Sequence, residues 1–380
     1  MLKLKFKSII WIALTCAVSH GTYSQSQDKK VKPLALGSSA PDFSLPGTDG
    51  KTYSLSDFSK DFLVVVFTCN HCPTAQAYEK RLVEITARYT PKNVDFVAIS
   101  PNDPKAVSLS ELGYSDLNDD LESMKLRASD MKYNFPYLYD GDSQTTALKY
   151  GPAATPHVFV FDKNRVLVYS GRIDDTENPY TEPGDKNLIN ALDALLAGNS
   201  PDKVVTKTFG CSIKWSWKDD WLAKERKEWS MEPVSLNDID VSGVKTLLKN
   251  DTDNLRLINV WATWCGPCVQ EFPEFVDINR MYRGRDFEFV SITTDKPSKK
   301  EKALEFLTKK EASNTNYIYS GKNTYDLIEA VDPEWQGALP YTILVAPGGK
   351  AIYKVDGTID PYALKKAIVE YLGRFYADNE

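Results

Sequence analysis

The feature that most constrains this chain is a pair of cysteines, two residues apart, that occurs twice. Cys69 and Cys72 lie in FTCNHCPTAQAYEK, and Cys265 and Cys268 lie in NVWATWCGPCVQEFPEF. The apolar runs before them, DFLVVVF and NLRLINVW, are typical of strands buried on both faces. Helical spacing of apolar residues follows each pair, so each pair is predicted at a junction between a strand and a helix.

The order of predicted elements recurs in the two halves of the chain. In each half a strand, the cysteine pair and a helix are followed by a second strand, a hairpin and a closing helix. Tyr169 follows Pro156 by 13 residues, and Tyr353 follows Pro340 by the same interval. Self-similarity of this kind predicts two copies of one α/β fold, a central mixed sheet flanked by helices.

A chain of 380 residues is long enough for two domains. We predict one domain over residues 35–198 and another over 235–380. Residues 199–234, which contain Cys211 and have no clean hydrophobic period, are predicted as a linker or an arm packed on the first domain.

The first 24 residues resemble a secretory signal peptide. Three lysines precede an apolar run that spans 9–18, and small residues at a cleavage position follow it. A membrane anchor is disfavoured because a bilayer span needs about 20 apolar residues. We therefore expect a periplasmic protein without stable membrane insertion. Loss of the three lysines takes the formal charge from -6 to -9, which gives no electrostatic reason to bind nucleic acid.

A cysteine pair at the start of a helix favours thiol-disulfide exchange. The unpaired N-H groups and the positive end of the helix dipole stabilise a thiolate, which is the attacking species. A second cysteine one turn away can resolve the mixed disulfide. The mature chain keeps five cysteines, so at least one of them is free, transient or paired between chains.

The second half resembles thioredoxin at Trp264-Cys265-Gly266-Pro267-Cys268. With GALPYTILV, the resemblance extends to TlpA-like extracytoplasmic reductases over 235–375. It implies a thioredoxin-like fold with Cys265 as the nucleophile, Cys268 as the resolving thiol and Trp264 beside the substrate.

Three further positions of the second half follow from this resemblance. Thioredoxins often carry a buried acid where this chain has Asn259, so proton transfer would pass to Glu271; a solvated helix glutamate is the alternative. Pro340 corresponds to the cis-proline of the fold. A cis bond would expose backbone groups of Leu339 to an extended substrate.

The first half resembles a peroxiredoxin-like redoxin family over 35–217, through FTCNHCP, SPND, FPYLYD, ATPHVFVFD, YSGRIDD and GCSIKW. Peroxide reduction in that family uses a hydroxyl side chain three residues before the attacking cysteine. The residue three before Cys69 is Val66, and the residue three before Cys72 is Cys69. Neither has a hydroxyl group, so we favour disulfide exchange. A peroxidase remains the alternative.

Four other residues of the first half have candidate roles. His71 lies between the cysteines, as in DsbA-type sites, and would favour the Cys69 thiolate and an oxidising disulfide. Thr155 and Pro156 would contact substrate, with Pro156 in the cis form. Cys211 would relay a disulfide, or it is a free buried thiol.

Binding of a metal or a cofactor is a weaker interpretation of these residues. Zinc needs four ligands with closing spacing, which the two separate pairs do not supply. Cys69, Cys72 and His157 could hold copper as in Sco-type chaperones, although a histidine beside a strand more often packs or hydrogen-bonds. Neither pair is followed by the histidine of a haem attachment site, and we expect no cofactor.

Taken together, the sequence predicts an exported thiol-disulfide oxidoreductase with protein disulfide or dithiol substrates and a membrane thiol donor. In each domain the first cysteine would attack and the second would resolve. Asn-His in one motif and Gly-Pro in the other suggest unequal potentials, with electrons passing toward the Asn-His site. A non-enzymatic binding module in the first half is the remaining alternative.

Overall fold

The computed structural model describes residues 31–376, apart from the side chains of Asp219 and Asp220. The predicted signal peptide lies outside the described residues. Within residues 31–376, no helix combines the length and the apolar character needed to cross a bilayer.

The first half of the chain is built on a five-stranded sheet in the order β5-β4-β3-β6-β7. Its strands are β3 (Phe62–Phe67), β4 (Val94–Ser100), β5 (Tyr137–Tyr139), β6 (His157–Phe161) and β7 (Leu167–Gly171). The central strand β3 is parallel to β4 and antiparallel to β6. Its valines are buried, as the continuous apolar run predicts.

Helices pack on both faces of this sheet, and a small hairpin precedes it. The hairpin strands are β1 (Ser44–Pro46) and β2 (Thr52–Ser54), with Gly50 at φ +82° in the turn. The helices are α1 (Pro73–Tyr89), α2 (Leu121–Asp130), α3 (Thr145–Tyr150) and α4 (Asn187–Leu196). The apolar sides of α1 and α4 join β3 and β6 in one core, so the predicted helical periodicity is confirmed.

The second half repeats this plan with one extra edge strand, in the order β13-β12-β9-β10-β11-β8. Its strands are β8 (Asn237–Ile239), β9 (Leu255–Trp261), β10 (Phe287–Thr293), β11 (Thr315–Tyr319), β12 (Tyr341–Ala346) and β13 (Lys350–Asp356). Its helices are α6 (Val241–Lys249), α7 (Gly266–Tyr282), α8 (Lys300–Lys309), α9 (Thr324–Val331) and α10 (Pro361–Leu372). Strand β9 is parallel to β10 and antiparallel to β12, as β3 is to its neighbours.

The connecting segment is more ordered than its sequence indicates. Val205 forms a bridge with Ser170 at the edge of the first sheet, which agrees with the expected arm. The absence of a clean period was misleading, however, because helix α5 covers Asp219–Ser230. Its mean hydropathy is low, so this helix carries too few apolar residues for a visible stripe.

The two halves are packed against each other. Val107 and Leu112 of the first half join the apolar core formed by α7, α10 and the second sheet. The hydroxyl of Tyr282 donates a hydrogen bond of 2.8 Å to the carbonyl of Ser115. Arg374, just beyond α10, forms a bidentate ion pair with Asp116, whose side chain is 1% exposed. The C-terminal segment of the second half therefore lies on the first.

Candidate redox sites

The second cysteine pair lies where β9 ends and α7 begins. Cys265 is the residue just before the helix, and the backbone N-H of Cys268 donates to its Sγ over 3.3 Å. The two cysteines form a disulfide. A sulfur at this position faces the positive end of the helix, an arrangement that stabilises a thiolate.

The surroundings of the second pair are partly open to solvent. Trp264 is 68% exposed, and Gly266 and Pro267 are exposed between the two buried cysteines. Leu339 packs against the apolar cluster that contains the pair, and its peptide bond to Pro340 is cis, as predicted. Exposed residues thus flank a disulfide that a partner can approach.

Glu271 is more than a solvated helix residue. Its Oε2 accepts a hydrogen bond of 3.0 Å from the N-H of Ile359, and its Oε1 is buried without a hydrogen-bond partner among the described residues. Burial raises the pKa of Glu271 to about 7, against the smaller lowering by that hydrogen bond. Asn259 is buried and donates to Thr342, so it cannot replace an acid. Glu271 can therefore exchange a proton near neutral pH.

The first cysteine pair meets its helix differently. Helix α1 begins at Pro73, and the residue before it is Cys72. In the second half the residue just before the helix is the first cysteine of its pair. In the first half it is the second cysteine. Cys69 lies one turn farther from the helix. The helix dipole therefore favours the Cys72 thiolate, not the Cys69 thiolate expected from the sequence.

Thr155 connects the sulfur atoms of the first pair. Its Oγ1 lies 3.1 Å from Sγ of Cys69, and its carbonyl accepts a hydrogen bond of 3.3 Å from the Cys72 thiol. The peptide bond from Thr155 to Pro156 is cis, as predicted. The residue before the cis-proline thus touches both cysteines.

His71 is held by a carboxylate that the sequence did not single out. Its Nδ1 lies 2.5 Å from Oδ2 of Asp119, which also accepts from the side chain of Asn102. The backbone N-H groups of Asn70 and His71 donate to the other oxygen. Burial disfavours a charged ring, but Asp119 raises the pKa of His71 above its usual value. A cationic ring is therefore available beside Cys72.

The thiols of the first half are strongly coupled. Burial opposes ionisation of Cys72, yet hydrogen bonds from Cys211 and Cys69 and the charge of His71 hold its pKa well below that of an ordinary thiol. Burial, the hydrogen bond to Cys72 and the charge of Asp119 raise the pKa of Cys69. The negative charge of the cluster is thus concentrated on Cys72.

Cys211 lies beside the first pair. It packs against the cluster formed by Cys69, Cys72 and Ala75, and its carbonyl accepts a hydrogen bond of 2.9 Å from the N-H of Thr155. A hydrogen bond to Cys72 and burial raise the pKa of the Cys211 thiol. The structure thus brings together three thiols that are distant in sequence.

His157 does not join this thiol cluster. Its Nδ1 accepts from the N-H of Ala153 over 3.0 Å, and its Nε2 is 3.0 Å from the hydroxyl of Ser170. Burial lowers the pKa of His157 to about 4, so the ring is neutral at physiological pH. Both nitrogens are occupied by hydrogen bonds, which leaves no free nitrogen for the copper site considered from the sequence.

One other group of metal-ligating side chains occurs among the described residues. Potential ligand atoms of Cys69, His71 and Asp119 lie within 4.8 Å of one another. The carboxylate already receives four donors, however, two on each oxygen. We therefore interpret the group as a hydrogen-bond network that fixes and charges His71.

The first motif is enclosed along its whole length. Every residue from 63 to 79 is buried, and Cys69 and Cys72 are 2% and 0% exposed. Ser115 donates to the carbonyl of Asn70, and Asn118 accepts from the same residue's side chain. The segment 114–119 is one part of the cover.

Residues 36–170 match the AhpC/TSA family, and residues 229–366 match the Redoxin family. Curated relatives carry the name thiol-disulfide oxidoreductase ResA. The protein from Bacillus subtilis is 24% identical over 32% of this chain and 63% of its own length. The protein from Geobacillus thermodenitrificans is 23% identical over 43% of this chain and 83% of its own length. The chain thus spans less than two thirds of the first of these relatives.

Similar solved structures cover single halves of the chain. An uncharacterized conserved protein from Geobacillus kaustophilus is 37% identical, with a TM-score of 0.43, over 48% of this chain and 93% of its own. A hypothetical protein from Sinorhizobium meliloti is 32% identical, with a TM-score of 0.44, over 49% and 97%.

Proposed function

This chain belongs through its two halves to the AhpC/TSA and redoxin families of the thioredoxin fold, and we propose that it is an exported thiol-disulfide oxidoreductase with two redox centres. The observation that carries the proposal is the disulfide between Cys265 and Cys268 at the start of a helix, beside the exposed Trp264. Its substrates are disulfides or dithiols of other proteins. The ResA names of the relatives support this reaction class.

In the second centre Cys265 attacks a partner's disulfide and forms a mixed disulfide. Cys268 then attacks Sγ of Cys265, and the partner leaves as a thiol. Glu271, with its pKa of about 7, exchanges the proton of Cys268. Leu339 and Pro340 offer backbone and apolar contact to the extended partner segment.

Reduction of insulin by dithiothreitol is the direct test of this proposal. The Cys265→Ser variant should lose most of the acceleration, while Cys268→Ser should retain a mixed disulfide with the partner on Cys265. Full activity of Cys265→Ser would remove the second centre from the reaction. A Tyr325→Phe variant changes an exposed side chain that the proposal does not use and serves as the control.

We propose that electrons pass from the second centre toward the first. The Cys72 thiolate is stabilised by His71 and by two thiols, and stabilising the reduced form makes a dithiol pair more oxidising. Titration of each pair against glutathione, with the other pair changed to serine, gives the two potentials. Equal potentials, or the opposite order, would overturn this direction.

A membrane thiol carrier is the proposed reductant, and export to the periplasm is supported by the sequence of residues 1–24. Sequencing the amino terminus of the secreted chain tests the predicted cleavage.

Peroxide reduction is the second candidate function, favoured by the AhpC/TSA match of residues 36–170. The position three before Cys72 holds the Cys69 thiol in place of a hydroxyl. Arg127, the buried arginine that could polarise a peroxide, donates hydrogen bonds of 2.6 and 2.7 Å to the Glu79 carboxylate instead. Consumption of hydrogen peroxide by the reduced chain, lost in Cys72→Ser, would establish this activity.

A further inference from the structure

The three thiols of the first half differ in their access to solvent. Cys69 and Cys72 are almost fully buried inside a motif without an exposed residue, whereas Cys211 is only partly buried. A disulfide of another protein needs a straight approach to the attacked sulfur. Among the three, Cys211 alone offers part of its surface to such a partner while the cover stays in place.

Cys211 also lies in contact with the buried pair. Its side chain packs on the cluster of Cys69 and Cys72, and its backbone pairs with Thr155, whose own carbonyl meets the Cys72 thiol. Thr155 therefore fixes the partly exposed thiol relative to the buried one. The chain holds Cys211 in place through a two-stranded bridge rather than through a loose loop.

We propose that Cys211 is the access thiol of the first centre, through which disulfides are passed to and from the buried Cys72. This inference rests on the proposed exchange function. It reverses the roles expected for the two cysteines of the motif, because the sulfur that exchanges with Cys211 is then that of Cys72 and not that of Cys69. Its partners are protein disulfides presented on an extended segment.

The steps balance in electrons and protons. The Cys211 proton moves to the Cys72 thiolate, and the Cys211 thiolate attacks the partner's disulfide, releasing one partner sulfur as a thiolate and forming a mixed disulfide. After Cys72 loses that proton to the leaving thiolate, it attacks Sγ of Cys211, which releases the second partner sulfur. Cys69 then attacks Cys72, and its proton goes to the departing sulfur. Two electrons leave the pair, and Cys211 is a thiol again.

The hydrogen bonds within the cluster provide the path for this proton. The thiols of Cys211 and Cys69 both donate to Cys72, so the pKa of Cys72 is low while their own pKa values are raised. A thiol hydrogen-bonded to a thiolate can lose its proton along that bond. Cys72 thus serves as the base for Cys211 and then as its attacker.

The C-terminal segment of the second half reaches this thiol. Burial, the charges of Cys211 and Cys72 and a hydrogen bond to Cys211 raise the pKa of Tyr376, which is 46% exposed. Its ring meets that of Tyr114 edge-on at 5.1 Å. The access thiol therefore has an exposed aromatic side chain beside it, which can contact an apolar segment of the partner.

The test uses the full mature chain carrying Cys265→Ser and Cys268→Ser, with glutathione disulfide as the probe. With Cys72→Ser added, glutathione should remain on Cys211. With Cys69→Ser added instead, a disulfide between Cys72 and Cys211 should accumulate. Peptide mass mapping after acid quenching identifies each product.

A second measurement follows oxidation over time in the chain that carries only Cys265→Ser and Cys268→Ser, in which the three thiols of the first half are unchanged. The disulfide of Cys72 with Cys211 should appear before that of Cys69 with Cys72. Cys211→Ser should slow oxidation of the buried pair by about tenfold or more, because direct attack then requires local opening. Glutathione on Cys69, or an unchanged rate in Cys211→Ser, would overturn the relay.

A separate reaction distinguishes the relay from the proposed function. A chain with only Cys268→Ser should carry glutathione on Cys265. If Cys265 is labelled in this chain but Cys211 stays unlabelled in the chain that carries Cys72→Ser, the relay is wrong and the exchange function stands. If neither cysteine is labelled, both are wrong.

Discussion

The two cysteine motifs share their spacing, their place between strand and helix and a cis-proline loop, yet their surroundings are opposite. The second motif has exposed residues on both sides of Cys265, whereas the first is buried from end to end. The helix also starts after the first cysteine in one motif and after the second cysteine in the other. The same four-residue pattern therefore does not assign the same role to its first sulfur.

The titratable groups beside the cysteines also differ between the two centres. The first centre has His71 between its cysteines, and the Asp119 carboxylate that holds the ring raises its pKa and so favours the cation. The second has a half-buried Glu271 one turn beyond its cysteines, where the first has the apolar Ala75. A cation stabilises a thiolate, while a neutral acid can give or take a proton. The comparison predicts different pH dependences for the two centres.

The largest expected difference between the two centres is in the rate at which their cysteines are alkylated in the reduced chain. Iodoacetamide should modify Cys265 about a thousandfold faster than Cys69 or Cys72, because a local opening of about 4 kcal/mol must precede reaction at the buried pair. Rates are measured by peptide mass spectrometry. In concentrated guanidinium chloride the rates should converge, and similar rates in the folded chain would contradict the closed first centre.

The docking of the C-terminal segment on the first half, next to the first centre, should depend on Arg374. Arg374→Ala leaves the Asp116 carboxylate, 1% exposed, without its bidentate partner, and should lower the free energy of unfolding by about 3 kcal/mol. Urea titration measures the change, and alkylation of Cys72 should become faster. Lys186→Ala removes the partner of an exposed Glu182 and should cost less than about 1 kcal/mol. Equal effects of the two variants would argue against a docked C-terminal segment.

The residues after the two cis-prolines should respond differently to acid. Burial lowers the pKa of His157 to about 4, below the value of about 6.5 in an unfolded chain. The unfolded state therefore binds more protons between these values, so the contribution of His157 to the free energy of unfolding is complete above pH about 6.5 and falls toward pH 4, by about 3 kcal/mol. Urea titrations across this range should lose that slope in His157→Gln. Tyr341, the corresponding residue of the second half, contributes no such slope in this range. An unchanged slope would mean that another group titrates there.

The smallest expected effect concerns Glu271. Its folded pKa of about 7 lies above the usual 4.5, so the folded state loses stability as pH rises between these values, and Glu271→Gln should remove that loss. The rate of mixed-disulfide resolution in the second centre should change by about fivefold around pH 7 in the parent and vary less in the variant. Stopped-flow tryptophan fluorescence follows the reaction. Glu274→Gln, on the same helix, is the control, and identical profiles for both variants would leave Glu271 without a role.

Much of the fold followed from local pattern. The buried runs before the cysteines predicted β3 and β9, and the helical spacing after Pro73 predicted the extent of α1. The cis form of Pro340 was predicted from its resemblance to the cis-proline of the thioredoxin fold, and that of Pro156 from the repeat. Helix α5 was missed because few of its residues are apolar, and amphipathic spacing is the signal on which such a prediction depends.

The candidate sites were only partly predictable. The cysteines, His71 and Glu271 carry a motif signal. Asn102 lies in SPND, which supported the resemblance without giving this residue a role, and Asp119 lies in LNDD, a polar segment that any surface loop could contain. Their role depends on a contact across 48 residues for Asp119 and His71. Sequence spacing has no information about which polar loop will close over a buried motif.

The sequence by itself determined two α/β halves, each with a redox motif after a buried strand, because burial of continuous apolar residues is a local requirement; the thioredoxin-like fold followed from the resemblance of the motifs. The tertiary structure alone decided which sulfur lies at the helix start, which thiol keeps contact with solvent, and that the end of one half covers the other. Those properties depend on solvent exclusion and on charges brought together from distant segments, and both arise only when the whole chain is packed.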